Sequence, residues 1–144
     1  MISYIDENND KFTDIVTYKQ TENSTEFYLN HYNSTAGTFS KVTGPLFRIN
    51  ISNIEITNVF GGTLIPNDTL SFIVSYYDKS SGSHNSIIFH KDNKKDTYYK
   101  ELSSFTNTSI IIGDIDGDRN LDIIYHDGEV RMVRHFTSNL VAIK

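Results

Sequence analysis

One unit recurs three times along this chain, and this repetition limits the possible folds more than any other feature of the sequence. The stretch YIDENNDKFTDIVTY near the start matches IGDIDGDRNLDIIY near the end, with acidic residues at equivalent places. Between them, GGTLIPNDTLSFIVSYY keeps the apolar segment but lacks those acidic residues. The last loop position moves from 14 to 71 to 122, which gives periods of 57 and 51 residues. Repeats of this length indicate one supersecondary unit per copy, stacked so that neighbours share a core.

Each copy is predicted to consist of strands joined by polar turns. Helical periodicity is hard to find, whereas short runs of β-branched and aromatic residues recur at close spacing. The predicted strands cover residues 15–18, 26–32, 71–77, 86–90, 97–102, 109–112, 122–125 and 130–136. The segments between them, such as KQTENST and DKSSGSHN, carry the Asn, Ser, Asp and Gly residues of hairpin turns. The chain is therefore predicted to be all-β, with antiparallel sheets.

The two acidic copies place oxygen-bearing side chains at positions 1, 3, 5 and 9 of a turn. A turn that curls around an ion points alternate side chains inward, and carboxylates held that close repel one another unless a cation is present. Such hard oxygen donors suit Ca²⁺, which takes about six to eight oxygen ligands at flexible geometry. The predicted ligands, with position 7 acting through its backbone carbonyl, are Asp114, Asp116, Asp118, Asn120 and Asp122 in the last copy and Asp6, Asn8, Asp10, Phe12 and Asp14 in the first. The first site is predicted to be the weaker one, because an amide replaces one carboxylate.

Other interpretations of these loops can be weighed from the same positions. An EF-hand requires Gly at position 6 and Glu at position 12 between two helices, whereas the last copy has Arg119 and Tyr125 there between strands. An Asx-rich turn without metal remains the alternative, since Asp and Asn favour tight turns on their own. The middle copy is predicted to be metal-free, because none of its four ligand places holds a carboxylate. Those places are occupied by Thr63, Ile65, Asn67 and Ser71.

The pattern D-x-D-G-D-x-x-x-D inside a repeat of this length resembles the FG-GAP or VCBS-type blades of integrin-α-like β-propellers. More closely, the segments DIVTY, SFIVSYYDKSSGS and IIGDIDGDRNLDIIY resemble the ectodomain repeats of the T-cell immunomodulatory protein family. The resemblance implies a partial β-propeller of antiparallel four-stranded blades, with repeat 1 at about 1–50, repeat 2 at about 51–105 and repeat 3 at about 106–144. It also implies structural calcium loops, and adhesion to a protein partner through other surfaces, in a protein anchored in the membrane outside this segment.

Three copies are fewer than the four to eight or so blades that close a propeller ring. We therefore expect the chain to be a fragment of a longer protein, or a shortened gene product that begins at an internal Met1. Because such a piece leaves open sheet edges, we expect it to aggregate or to melt broadly when it is expressed alone.

Composition excludes several classes of function. The net charge of -5, with Lys and Arg scattered, leaves no basic stripe for nucleic acid, and the absence of cysteine excludes disulfides and zinc-thiolate sites. No H-E-x-x-H, G-x-S-x-G, P-loop or G-x-G-x-x-G motif occurs, so no enzyme is predicted. His126 and Asp127 are expected to flank a turn rather than form a catalytic pair. Glu7, beside the first acidic loop, is expected to face solvent.

Five N-glycosylation sequons favour an extracellular or lumenal location, although this segment contains neither a signal-peptide pattern nor a membrane-spanning run. The sequons begin at Asn23, Asn33, Asn50, Asn67 and Asn107. We expect a calcium-stabilised extracellular module that mediates protein–protein interaction or cell adhesion. One alternative is a lectin-type propeller that binds glycans, and another is a non-catalytic propeller part of a larger secreted enzyme. Most of the nine Tyr and nine Phe residues are expected to pack between repeats.

Overall fold

The chain forms an all-β structure, in a computed structural model whose described residues form strands and turns and include no helix. The described residues are 3–65, 69–92, 94–95, 97–100, 105–106, 109–113, 117, 122–126, 130–136 and 140–143. Their strands group into three antiparallel sheets that follow one another along the chain. Each sheet contains a meander of consecutive paired strands, as expected where short polar turns join them.

The first sheet has four strand positions, in the order β1-β2-β3-β4, with β5 also paired to β3. Its strands are β1 (Ser3–Ile5), β2 (Asp14–Gln20), β3 (Thr25–Asn33), β4 (Thr38–Lys41) and β5 (Phe47–Ile49). The strands β4 and β5 share one edge position, because β4 pairs with the end of β3 and β5 with its beginning. Between them the backbone N–H groups of Val42 and Leu46 still donate to carbonyls of β3, over 2.9 and 2.7 Å.

The second sheet repeats this plan in the order β6-β7-β8, with two short strands on the far side of β8. Its strands are β6 (Ile54–Ile65), β7 (Thr69–Asp78), β8 (Ser83–Asp92), β9 (Thr97–Lys100) and β10 (Phe105–Thr106). The third sheet is a four-stranded meander of β11 (Ser109–Gly113), β12 (Asp122–His126), β13 (Val130–Phe136) and β14 (Leu140–Ile143). Antiparallel sheets of four strand positions are thus the repeating unit of this chain.

The first two sheets pack face to face around one aromatic core. In β2 and β3 every second residue is buried, so each strand turns one face to the core and the other outward. The ring of Phe47 lies at the centre, 4.2 Å from the ring of Phe89, 4.8 Å from that of Phe27 and 5.5 Å from that of Phe72, measured between centroids. Tyr98 of β9 closes the cluster at 5.9 Å from Phe47. Here the aromatic residues pack between repeats, as the sequence predicted for most of them.

The second sheet is buried on both faces. Ile73 and Ile88 point away from the aromatic core, yet they are as inaccessible to solvent as the residues that face it. On that side β6 contacts β13 and β8 contacts β11, and Ile123 of the third sheet is fully buried. Two-sided burial explains why β8 carries a run of consecutive buried residues rather than an alternation. The three sheets therefore pack in chain order, with the second in the middle.

The middle copy departs from the predicted loop alignment. Thr63 and Ile65, expected at loop positions 1 and 3, lie inside β6 and pair with Leu70 and Thr69 of β7. Asn67 lies outside the described residues. The two strands extend until only residues 66–68 separate them, whereas eight residues separate β1 from β2. The middle copy is therefore a longer hairpin, and the alignment that placed Thr63 and Ile65 in a loop was wrong.

Candidate functional site

The first acidic loop, residues 6–13, connects β1 to β2 and is held together by its own side chains. The Asp6 carboxylate accepts hydrogen bonds from the backbone N–H groups of Asp10 and Lys11, at 3.1 and 2.9 Å. The Asn8 side-chain oxygen accepts a bond from Asp10 N, and Asp10 Oδ1 accepts one from Phe12 N. Left-handed backbone at Asn9 and Lys11, with φ of 59° and 73°, allows the chain to curl this tightly. The side chains of Asp6, Asn8 and Asp10 therefore accept backbone N–H bonds within the turn, as in a series of Asx turns.

Asp14, the last predicted ligand of this loop, is the first residue of β2 and has 0% of its surface exposed. Its Oδ2 accepts a hydrogen bond from Glu7 N at 2.9 Å, and its Oδ1 accepts one from Tyr32 N at 3.0 Å. Nε2 of His31 lies 4.0 Å from Oδ2 of Asp14. This carboxylate thus joins the loop to β3, through bonds that reach across the hairpin.

The donor set of the first loop fits Ca²⁺ in chemistry and in number. Three carboxylates, the Asn8 amide oxygen and the Phe12 carbonyl are hard oxygen donors, and a few waters would complete the shell of about six to eight that calcium takes. Across the part of the chain that the structure describes, no three Asp, Glu, His or Cys side chains come close enough together to share one ion. Backbone N–H groups donate to all three carboxylates.

The second acidic loop has the same frame. Gly113 of β11 pairs with Asp122 of β12, just as Ile5 of β1 pairs with Asp14 of β2, and in both hairpins eight residues lie between the paired strands. Gly117, at position 4, has a left-handed φ of 78°. Asp114, Asp116, Asp118 and Asn120 lie outside the described residues, as does the side chain of Asp122.

Ser71, the residue of the middle copy that corresponds to Asp14, has a different partner. Its hydroxyl lies 2.7 Å from Nδ1 of His90, its cross-strand neighbour in β8, and both side chains are buried. A buried polar pair of this kind satisfies its own hydrogen-bonding groups inside the sheet stack. Among the other sequence candidates, His126 ends β12, and Asp127 and Gly128 lie outside the described residues.

Glu7 does not face solvent, so that expectation was wrong. Its side chain is only 7% exposed and lies between the first two sheets. Its Oε1 accepts hydrogen bonds from Nζ of Lys91 in β8 and, at 3.1 Å, from the hydroxyl of Tyr98 in β9, while Oε2 lies 3.2 Å from Nε2 of His31. Burial opposes ionisation of this carboxyl, but the hydrogen bond and charge of Lys91, together with bonds from His31 and Tyr98, hold the pKa of Glu7 below its usual value.

Sequence reasoning missed this cluster because its members are far apart along the chain. Lys91 and Tyr98 follow Glu7 by 84 and 91 residues, and they belong to a different repeat. Within the loop pattern Glu7 occupies an outward position, since Asp6 and Asn8 on either side of it turn inward. Only a prediction of how the repeats pack on one another would have found its partners.

An exposed aromatic cluster adjoins the first loop on the outer face of the first sheet. The Tyr32 ring lies 5.6 Å from the ring of Phe12 in the loop and 5.2 Å from that of Phe39 in β4. Phe12 and Phe39 are 43% and 47% exposed, which is high for such large apolar side chains. Further along this face, Nζ of Lys41 sits 3.7 Å above the Tyr28 ring. Phe12 therefore belongs both to the candidate metal loop, through its carbonyl, and to this aromatic surface, through its ring.

Charged groups continue the outer face beyond the aromatic cluster. Glu26 Oε1 binds Nη2 of Arg48 at 2.5 Å, and Glu26 Oε2 accepts the hydroxyl of Tyr28 at 2.5 Å. The hydrogen bond from Tyr28, opposed by partial desolvation and helped by Arg48, lowers the pKa of Glu26, and the same bond raises the pKa of Tyr28. The face thus combines aromatic rings with paired charges.

The structure also places the sequon residues and one cavity. Asn23, Asn33 and Asn50 are exposed, while Asn67 and Asn107 lie outside the described residues. Oδ1 of Asn33 accepts hydrogen bonds from the N–H groups of Thr35 and Ala36, so this asparagine starts an Asx turn.

A cavity of about 330 Å³ lies beside residues 42–46. Its lining, which includes Leu29, Leu46 and Tyr98, carries hydroxyl groups but no carboxylate, imidazole or amine.

Comparison with known proteins adds no relative: no protein-family model, no curated protein and no solved structure matches this chain. In the described part of the chain no helix is long and apolar enough to cross a bilayer.

Proposed function

We propose that this chain is a calcium-stabilised module of the β-propeller type that mediates protein–protein interaction or cell adhesion. One observation carries the proposal: Phe12 links the acidic loop to the exposed aromatic cluster. An ion that ordered the loop would also fix one side of that cluster. The module would thus present a rigid aromatic surface when calcium is bound.

Calcium would be held by Asp6, Asn8, Asp10 and Asp14 and by the carbonyl oxygen of Phe12, with an equivalent and stronger site in residues 114–122. When bound, it would supply positive charge to carboxylates that accept hydrogen bonds from backbone N–H groups and from the Asn8 amide within the loop. Because ligands that bind the folded state alone add to its stability, the loop would become more resistant to unfolding. The protein's own contribution is the frame that β1, β2 and the buried Asp14 provide.

The surface for a protein partner is the outer face of the first sheet. Protein interfaces are enriched in Tyr, Phe and Arg at their centres, and this face offers Tyr28, Tyr32, Phe39 and Arg48 within one sheet. The inner face is already used, because it packs against the second sheet. A partner that binds here would cover apolar rings that water now contacts.

An extracellular or lumenal location belongs to the same proposal. The three sequons that the structure describes, at Asn23, Asn33 and Asn50, have exposed asparagines that a glycan could occupy without disturbing the core. We propose that the parent is anchored in a membrane by a single span outside this segment. No interaction with nucleic acid is proposed.

Binding of the labelled full chain to cells, with calcium or with a chelator, tests the interaction surface. Phe39→Ala should lower the affinity roughly tenfold or more, because truncated aromatic anchors dominate interface energies. Ile111→Ala is the matched control, since that side chain is 68% exposed on the third sheet and lies away from the proposed surface. Equal affinities for wild type and Phe39→Ala would contradict the assignment.

The exposed aromatic rings also fit a lectin, because sugars stack on aromatic faces. A glycan array probed with the same chain separates the two functions. Repeatable binding to one sugar class, lost in Phe39→Ala, would replace the protein partner by a glycan. Binding to cells that survives removal of their glycans would favour the protein partner.

A further inference from the structure

We propose that Glu7 is a positioning residue that anchors the first acidic loop to the second sheet, and that the second sheet thereby sets the calcium affinity of this loop. The anchoring of the loop by Glu7 needs no metal. The effect on calcium affinity rests on the calcium site proposed above.

The anchor has two ends. On the loop side, the backbone N–H of Glu7 donates to the buried carboxylate of Asp14, the last predicted ligand. On the sheet side, the Glu7 side chain accepts bonds from Lys91 and Tyr98, on adjacent strands of the second sheet. One residue therefore connects the loop of repeat 1 to the body of repeat 2.

Glu7 is next to two of the predicted calcium ligands in the sequence, so its anchoring also affects their positions. Glu7 lies between Asp6 and Asn8, so fixing its backbone also fixes the Cα atoms from which both side chains enter the turn. Groups that hold a ligand in place commonly change metal affinity by 10-fold to about 100-fold when they are lost. A loop anchored in this way is held ready for an ion before the ion arrives.

The anchor is specific to the first copy. The corresponding residue is Ile115 in the last copy and Leu64 in the middle one, and neither has a carboxylate. Changes at Glu7 should therefore act on loop 6–13 and leave the site at residues 114–122 unchanged. The last copy serves as a reference within the same molecule.

Two opposite changes of charge separate anchoring from simple electrostatics. Glu7→Gln removes a negative charge near the loop, whereas Lys91→Met removes a positive one. If these residues acted only through space, Glu7→Gln would weaken calcium binding and Lys91→Met would tighten it. If they act by positioning, both variants weaken binding to the first loop, by about tenfold. Tyr98→Phe removes one hydroxyl bond and keeps the ring, so it should have a smaller effect in the same direction.

Amide hydrogen exchange of the full chain, in the presence of a chelator, tests the metal-free half. The N–H groups of Asp10, Lys11 and Phe12 donate to loop side chains and report directly on whether the loop is closed. We expect their exchange to speed up by about tenfold in Glu7→Gln and in Lys91→Met, because local opening becomes easier. Glu55→Gln is the matched control, since its ion pair with Lys79, 3.5 Å long, is exposed on the second sheet. Unchanged exchange in both anchor variants would overturn the inference.

Calcium titration of the same variants, followed by the amide signals of each loop, tests the second half. Weaker binding at loop 6–13 in both variants, with residues 114–122 unaffected, supports the anchor. Tighter binding in Lys91→Met overturns it. If wild type shows no calcium effect at loop 6–13, this loop does not bind calcium and the claim that the second sheet sets its affinity fails. The exchange result still decides whether Glu7 anchors the loop. Should either charge variant fail to fold, Tyr98→Phe takes its place: faster exchange and weaker calcium binding at loop 6–13 support the anchor, and no change in either contradicts it.

Discussion

Gly61 occupies a place in β6 where a side chain does not fit. A Cβ atom at this position would lie 2.7 Å from Cε1 of Phe72 and 2.8 Å from Cδ1 of Ile5. We expect Gly61→Ala to lower the free energy of unfolding by about 1 to 3 kcal/mol, as overpacked core positions do. Denaturant unfolding followed by circular dichroism measures this loss. A variant as stable as wild type would show that the two sheets are not this close at Gly61.

Glu26 gives the outer face a predictable dependence on pH. Its pKa is lowered in the folded protein, chiefly by the hydrogen bond from Tyr28 and also by Arg48, so its charged form stabilises the fold. This contribution is complete above the ordinary carboxyl pKa of 4.5 and is lost as the pH falls through the lower folded value. Glu26→Gln should therefore melt below wild type near about pH 6, and the two melting temperatures should converge as the pH falls below the folded pKa of Glu26. A constant difference across that range would contradict the assigned ion pair.

Single residues also show which contacts the sequence could predict and which it could not. The turn at Asp6, Asn8 and Asp10 follows from local chemistry, because Asp and Asn side chains accept backbone N–H bonds within it. The partners of Glu7 are set by how two sheets pack, and no local pattern encodes that. The metal itself stays a prediction, because carboxylates at these positions also form an Asx-rich turn.

Among the elements, β5 has only three residues but places Phe47 at the joint between the first two sheets. Phe47 stacks on Phe89 and also contacts Phe27 and Phe72. We expect Phe47→Ala to cost about 3 to 5 kcal/mol of unfolding free energy, because it leaves a cavity among rings that cannot close around it. Phe39→Ala, at an exposed site in the neighbouring β4, should change stability by no more than about 0.5 kcal/mol. Similar losses for the two variants would show that β5 does not join the sheets.

Strand prediction found eight of the described strands and missed the others, most of which have no more than four residues. Every predicted segment falls on an observed strand, apart from residues 101–102, which lie outside the described part of the chain. Six of the described strands were not predicted, namely β1, β5, β10, β14, β4 and β6. Of the last two, β4 is exposed along its whole length and β6 contains Asn58, Gly61 and Gly62. Their positions are decided by pairing with β3 and β7 and, at Gly61, by close packing. Tertiary contacts, which a sequence pattern does not contain, set these strands.

The molecule as a whole is three meanders packed in chain order, with the middle sheet buried on both faces. The periods of 57 and 51 residues predicted repeated units, and each unit forms an antiparallel sheet. The resemblance to FG-GAP repeats remains part of our proposal, in which the three sheets form a partial propeller and the outer face of the first sheet binds the partner. In the first and last sheets, eight residues that contain the acidic loop connect the first two strands. In the middle sheet the corresponding strands are longer, and only residues 66–68 connect them.

Calorimetric titration of the full chain with Ca²⁺, paired with thermal melts, tests most directly whether calcium stabilises this fold. We expect about two sites, the weaker in residues 6–14 and the stronger in residues 114–122, and a melting temperature that rises with calcium concentration. Asp116→Ala should abolish the stronger site, and Asp10→Ala the weaker one. Binding of Ca²⁺ without heat is excluded if the melting temperature also stays constant. No heat and no shift in melting temperature at millimolar calcium would contradict the account, and the loops would then be Asx-rich turns that fold without metal.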